Sequence, residues 1–179
     1  MSRLYEAQKD YAAARKTLED ALRVIPGDKT LNGALARLLD RHFRTEGQEA
    51  EACWRRSFTE GDTNYTSQFW FARRLYLNDK VDESLAKYAK LKLVHLPRAL
   101  KVKISGRIRD DGGDLKVFKG VVSRLEDDYA LLTPFGQQRQ VMLHCSEVAE
   151  ERWKMLRRND AVNFTIGFNY LGPAAVLAG

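Results

Sequence analysis

The 179-residue chain is poor in cysteine, histidine and proline, and these shortages exclude several classes of protein. It contains two cysteines, Cys53 and Cys145, which are far apart, together with only three histidines and four prolines. Two distant cysteines do not form a disulfide framework, so we expect a reduced, cytoplasmic protein. The three histidines have no partners at metal-ligand spacing, and no metal site is expected.

Long apolar runs and phosphate-binding glycine motifs are also missing. No run approaches the roughly 18 to 20 apolar residues that cross a bilayer, and the stretch MSRLYEAQKD lacks a signal-peptide core. The GGD at residues 112–114 lacks the lysine of a phosphate loop. His144 and Cys145 are adjacent, and on a strand they would point to opposite faces. We therefore expect no membrane partner, no cofactor, no small-molecule substrate and no enzymatic activity.

The charge of the chain permits an acidic partner without requiring one. The formal net charge is +6. Residues 1–100 carry 18 Lys/Arg against 14 Asp/Glu, and residues 101–179 carry 12 against 10. Neither half is a dedicated basic module, so non-specific attraction to phosphates should be modest.

The sequence divides into a helical half and a strand half. Up to about Leu96, apolar residues recur at steps of three and four, which is typical of amphipathic helices. After Pro97, short β-branched runs alternate with the turn signals DDGGD, EDD, PFGQQ, RRND and LGP. We predict an α plus β protein with helical repeats over residues 1–98 and a small antiparallel barrel over residues 99–179.

The helical half contains a repeated pattern. In DYAAARKTLEDALRVIPGD the aromatic, small, large and turn positions are occupied by Tyr11, Ala14, Leu18, Ala21 and Pro26. This stretch resembles the second helix of a tetratricopeptide repeat, and weaker copies place Ala50 and Ser84 at the position of Ala14. The resemblance covers about residues 1–97 and implies an α-solenoid, with first helices near residues 30–44 and 66–77. Because Met1 falls inside a first helix, we expect the chain to be the C-terminal part of a longer protein.

The resemblance also implies a concave groove lined by the first helices. The inferred register places six side chains on it, namely Arg3, Arg37, Arg41, Phe69, Arg73 and Tyr76. One arginine per repeat would form a ladder that binds carboxylates or phosphates, and we expect a protein or peptide partner there. The alternative is a solvated helix face, on which Arg37 pairs with Asp40.

Five strands are predicted in the second half: KGVVSRL, YALLTP, QVMLHCS, AVNFTIGF and PAAVLA. Their order and turns resemble a cold-shock domain, an OB-type barrel, over about residues 117–179. The preceding stretch KVKISGRIRDDGGDLKV adds a strand and a hairpin-like turn. That strand is expected either to extend the first strand of the barrel or to pair at the seam with the repeats.

The cold-shock resemblance implies binding of single-stranded nucleic acid by aromatic side chains of the second and third strands. Most of those rings are absent: Tyr129 remains, whereas Leu131 and Met142 occupy ring positions. Each lost platform removes roughly 1–3 kcal/mol, so weak to moderate binding is expected. The implied surface comprises Lys119, Arg124, Tyr129, Phe135, Arg139 and His144. The alternative is that Tyr129 only covers the barrel edge and His144 is an ordinary surface histidine.

The predicted function is non-catalytic recognition of single-stranded RNA or DNA by the barrel, while the repeats engage a protein partner. The alternative is a protein–protein scaffold whose barrel has lost nucleic-acid binding. The two hypotheses differ in salt dependence, because phosphate contacts give a steep slope of log affinity on log salt.

Overall fold

The computed structural model describes residues 2–110 and 112–178, so Met1, from which the truncated first repeat was inferred, lies outside the described residues. The chain divides into two compact units, Met1–Val94 and His95–Gly179. Among the described residues, no helix combines the length and the apolar character that a membrane span requires.

Within its described residues, the first unit contains six helices, and each packs against the next one along the chain. They are α1 (Ser2–Ala7), α2 (Tyr11–Val24), α3 (Lys29–His42), α4 (Gly47–Arg56), α5 (Tyr65–Leu77) and α6 (Val81–Lys92). The first helices expected near residues 30–44 and 66–77 are α3 and α5.

Short polar side chains begin three of these helices. The Asp10 carboxylate accepts from the Ala13 N–H at 2.9 Å, and the Asp28 carboxylate accepts from the Leu31 N–H at 2.8 Å. Asn64 caps α5 in the same way. Such caps satisfy N–H groups that have no partner inside the helix, so the sequence marks these helix starts directly.

Small side chains of the repeated pattern lie in the core of the helical unit. Six of them, Ala14, Ala36, Ala50, Ser57, Ala72 and Ser84, have relative exposures of 1% or less, whereas Ala21 is half-buried. The Ser84 hydroxyl donates to the Ala72 carbonyl oxygen at 2.7 Å. Trp54 and Tyr88, also buried, fill the space between these contacts.

Ion pairs join positions that are one helical hairpin apart. Asp40 of α3 pairs with Arg74 of α5 and accepts from the Trp54 indole N–H at 2.8 Å. Arg15 contacts Glu49 at 2.9 Å. Both pairs, Asp40 with Arg74 and Arg15 with Glu49, are separated by 34 positions in the sequence. Asp40, considered above as a partner of Arg37, is therefore buried in a contact between α3 and α5.

The second unit begins with a helix that the sequence pattern did not predict. Strand structure was expected from residue 99, yet α7 spans Arg98–Lys103. The Pro97 carbonyl oxygen accepts from the N–H groups of Leu100 and Lys101 at 2.9 and 3.0 Å. Proline is compatible with a helix start, and the residues that follow are good helix formers, so local propensity prevails over the strand pattern here.

Five strands then close into a barrel, as the sequence predicted. They are β2 (Val117–Leu125), β3 (Tyr129–Pro134), β4 (Val141–His144), β5 (Ala161–Asn169) and β6 (Gly172–Leu177). Antiparallel pairing links β2 to β3, β3 to β4, β2 to β5 and β5 to β6, and a parallel pairing of β4 with β6 completes the circle. A helix, α8 (Glu150–Met155), connects β4 to β5.

The extra strand β1 (Gly106–Arg107) extends the first barrel strand. Its residues pair with Phe168 and Gly167 of β5, while β2 pairs with residues 161–165 of the same strand. Because β6 occupies the other edge of β5, β1 and β2 lie end to end along one edge. The first of the two alternatives for this segment is therefore the one observed.

Candidate nucleic-acid interface

The outer face of β2, β3 and β4 carries most of the side chains expected to contact a ligand. Along β3 and β4 the inward residues Ala130, Leu132 and Leu143 are completely buried. The residues between them necessarily point outward, because side chains alternate along a strand. Tyr129 is half-buried on that outer side and His144 is exposed.

Two cross-strand pairs organise the centre of this face. Tyr129 stands opposite His144, and Leu131 stands opposite Met142. Directly opposed side chains have Cβ atoms about 4.5–5.5 Å apart, so each pair forms a single contact surface. Tyr129 and His144 are therefore neighbours on the outer face, and the apolar pair Leu131 and Met142 follows next to them.

A β-bulge brings Arg124 to the same face. Val122 is paired with Leu132 and Arg124 with Leu131, so Ser123 is the extra residue between them. The Ser123 hydroxyl donates to the Leu131 carbonyl oxygen at 2.9 Å. Without the extra residue, alternation from the buried Val122 would turn Arg124 toward the interior. Arg124 is instead exposed, and its ion pair with Glu126 (2.6 Å) and the nearby Tyr129 raise its pKa.

Lys119 and Phe135 lie together at the other end of the face. The Phe135 N–H donates to the Lys119 carbonyl oxygen at 2.9 Å, and the Phe135 side chain is 61% exposed. Arg139, in the loop that follows β3, donates to the Gln137 side-chain oxygen at 2.7 Å. Tyr129 and Pro134 are five positions apart along β3, so the two ends are about 17 Å apart.

His144 is held by the turn that follows it. The Ser146 N–H donates to Nδ1 of His144 at 3.2 Å, and the Ser146 hydroxyl oxygen lies 2.8 Å from the same nitrogen. A ring nitrogen that accepts from a backbone N–H carries no proton, so the neutral ring is protonated at Nε2. The Cys145 Sγ lies 3.9 Å from Nδ1, closer than two opposite-facing strand residues would be, because Cys145 already belongs to a 3₁₀ turn.

An acidic turn borders the face beside Tyr129. Glu126, Asp127 and Asp128 are exposed, and the Glu126 N–H donates to the Tyr129 carbonyl oxygen at 2.8 Å. They form the expected hairpin turn between β2 and β3. The Trp153 indole N–H of α8 donates to the Asp127 carbonyl oxygen at 3.2 Å, which fixes the turn. The exposed carboxylates make this edge of the face unfavourable for an anion.

The six side chains assigned to the groove of the helical unit do not share one environment. Arg3, Arg37 and Arg41 are exposed. Phe69 and Tyr76, with exposures of 0% and 1%, are core residues, and their assignment to a binding surface was wrong. Helix α5 is apolar on most of its circumference, so its periodicity could not identify an outer side.

Arg73 completes this set, and its guanidinium carbon lies 5.4 Å from the centre of the Trp70 ring. Burial lowers the pKa of Arg73, because a site shielded from water disfavours the charged form. Of the three arginines of the predicted ladder, Arg3 and Arg37 are exposed and Arg73 is half-buried, and Arg41 lies one turn beyond Arg37.

Positive charge is concentrated in the residues that precede the barrel. Residues 84–109 contain eight Lys/Arg and no Asp/Glu, whereas residues 117–178 contain seven of each. The closed barrel is thus formally neutral, and the positive charge of its unit precedes it. Residue 100 lies inside this acid-free stretch, so the net charges of residues 1–100 and 101–179 do not reveal it.

The fold and the interface together define a helical unit joined in sequence to a closed five-stranded barrel with a mixed aromatic and apolar outer face. No protein-family model and no curated protein matches the chain.

Proposed function

We propose that the barrel is of the OB or cold-shock type and binds single-stranded nucleic acid on the outer face of β2, β3 and β4. The strand order β2-β3-β4-β6-β5 around the barrel supports the first part, because OB-folds are five-stranded Greek-key barrels with ligands across their central strands. The opposed pair Tyr129 and His144 is the observation that carries the second part.

The geometry suits bases rather than a folded duplex. Tyr129 and His144 offer two adjacent rings, on which successive bases stack with roughly 1–3 kcal/mol each. Leu131 and Met142 continue the surface without rings, so a base placed there gains apolar contact alone. Arg124 adds a planar cation beside Tyr129, and its guanidinium plane suits stacking on a base. Two platforms in place of a longer series correspond to weak to moderate binding.

For the helical unit we propose a tetratricopeptide-like array that engages an acidic peptide. Contacts between positions 34 residues apart, Asp40 with Arg74 and Arg15 with Glu49, support a repeat of that length. The exposed Arg37 and Arg41 lie one turn apart on α3, where their guanidinium groups suit carboxylates.

The test of the barrel proposal is a titration of labelled mixed-sequence single-stranded RNA and DNA, followed by fluorescence anisotropy. Tyr129→Ala should weaken binding about 5- to 150-fold, the equivalent of one stacking platform. Tyr129→Phe keeps the ring and loses only the hydroxyl, so it should remain within about three-fold of the wild type. Equal affinities of the wild type and Tyr129→Ala would refute the stacking face.

A protein scaffold is the second candidate, and the neutrality of the barrel favours it. Residues 117–178 carry no formal net charge, and Phe135 and Met142 are 61% and 43% exposed on or beside the face. An apolar protein ligand would bind such a surface with little dependence on salt, whereas nucleic acid would not.

A further inference from the structure

We propose that the segment before the barrel supplies its phosphate contacts, an inference that rests on the proposed nucleic-acid function. This segment, called here the basic arm, comprises residues 98–109, which include α7 and β1; its cations are Arg98, Lys101, Lys103, Arg107 and Arg109. No acidic residue interrupts it, and the barrel that follows is formally neutral. A formally neutral barrel contributes little net attraction to phosphates, so cations outside it would supply most of the electrostatic, sequence-independent part of binding.

Two isoleucines anchor the arm, and three of its cations are exposed. Ile104 and Ile108 have exposures of 0% and 7%, whereas Arg98, Lys103 and Arg107 are exposed. The Lys101 ammonium lies 4.7 Å from the centre of the Tyr170 ring in the turn between β5 and β6. This contact holds α7 on the barrel, so the charges occupy defined positions rather than a free tail.

The arm lies on the same edge of β5 as the strand that begins the proposed face. Arg107 is paired with Gly167, and Lys119 is paired with Asn163 of the same strand. Asn163 and Gly167 are four positions apart along β5, or about 13 Å along the strand. Lys119 adjoins Phe135, so a nucleic acid that leaves the face at Phe135 continues toward Arg107 and away from the acidic turn beside Tyr129.

The acidic residues next to the arm determine which cations make the sharpest test. Asp110 and Asp114 belong to the turn that follows it, where the Asp114 N–H donates to the Asp110 carboxylate at 3.0 Å. They offset the charge at Arg109, which itself donates to the Gly113 carbonyl oxygen at 2.7 Å. Arg98 and Lys103, at the other end of the arm, are free of this offset and exposed.

The experiment compares two double variants of the full chain that have the same net charge. Arg98→Gln with Lys103→Gln removes two charges from the arm, and Lys154→Gln with Arg158→Gln removes two exposed charges near α8. Each is titrated into a labelled single strand of about 16 nucleotides over a range of salt concentrations. The arm variant should reduce the slope of log affinity on log salt by about 1.4, and weaken binding about ten-fold at 0.15 M salt.

Three comparisons separate this inference from the proposed function. The control variant should retain the wild-type slope, and Tyr129→Ala should weaken binding without changing the slope. Equal losses in the arm and control variants would overturn the inference, because net charge alone would then explain them. If Tyr129→Ala weakens binding and the arm variant binds like the wild type, the inference is overturned and the stacking face stands. If the arm variant weakens binding and Tyr129→Ala binds like the wild type, the stacking face is overturned and the inference stands.

An anionic membrane surface is the other ligand that a basic segment could bind. Titration of the same proteins with vesicles of phosphatidylserine and phosphatidylcholine distinguishes it. Arm-dependent binding to these vesicles, without arm-dependent binding to nucleic acid, would overturn the inference.

Discussion

Replacing Gly120 by alanine should destabilise the barrel, because β2 and β3 leave no room for a side chain at this position. A Cβ atom on Gly120 would lie 2.3 Å from the Thr133 carbonyl oxygen and 2.9 Å from the Pro134 Cα. Both atoms belong to the backbone, so the strands themselves must separate. Overpacking of this kind costs typically 1–3 kcal/mol. Since 1.4 kcal/mol corresponds to a factor of ten, exchange through opening of the barrel should accelerate about 5- to 150-fold.

Gly167→Ala is the matched control for this substitution. Gly167 lies in β5 of the same barrel, and a Cβ atom there would meet its nearest neighbours at 3.7 Å or more, an ordinary contact distance. Hydrogen exchange followed by mass spectrometry reads both variants, and peptides from α2 to α5 provide an internal reference. Equal protection of the barrel peptides in Gly120→Ala and Gly167→Ala would show that the close approach of the two strands is not what requires glycine.

Two further predictions concern the helical unit. The N–H groups of Thr59 and Asn64 and the Lys29 ammonium lower the pKa of Asp62 to about 2. Because this pKa is lower in the folded state, the stabilisation is present above about pH 4 and is lost as the pH falls toward 2. The urea midpoints of the wild type and Asp62→Asn should therefore converge on acidification, and a constant gap from pH 7 to pH 2.5 would contradict this. Burial raises the pKa of the Cys53 thiol to about 11. A disulfide reagent at pH 8 should consequently label one thiol, Cys145, in the native chain and a second only after unfolding; two thiols reacting at the same rate before unfolding would contradict the prediction.

The sequence predicted the barrel well because its strands are short and its turns are chemically explicit. The predicted strand YALLTP is β3, with the same first and last residues, because alternation and turn residues are local signals. The order of strands around the barrel was available only through the family resemblance, because the parallel pairing of β4 with β6 joins segments about 30 residues apart.

Other features depended on information that a local pattern does not contain. Phe69 and Tyr76 were assigned to a surface because the register of α5 has no clear polar side. Helix α7 was missed because the helical pattern was taken to end before Pro97 and strand-like residues follow the helix. The basic arm was visible in the sequence from the start, and a count of acid-free stretches rather than of halves would have found it.

The bulge at Ser123 has a consequence for how this surface changes over evolution. Arg124 faces outward because β2 has one residue more than its partner β3 at this point. Its exposure is therefore encoded by the length of the strand and not by the identity of a residue. Loss of a single codon here would exchange the inner and outer positions of the strand on one side of the gap. An alignment of related sequences has to place that one-residue gap correctly before arginines on the two sides of it can be compared.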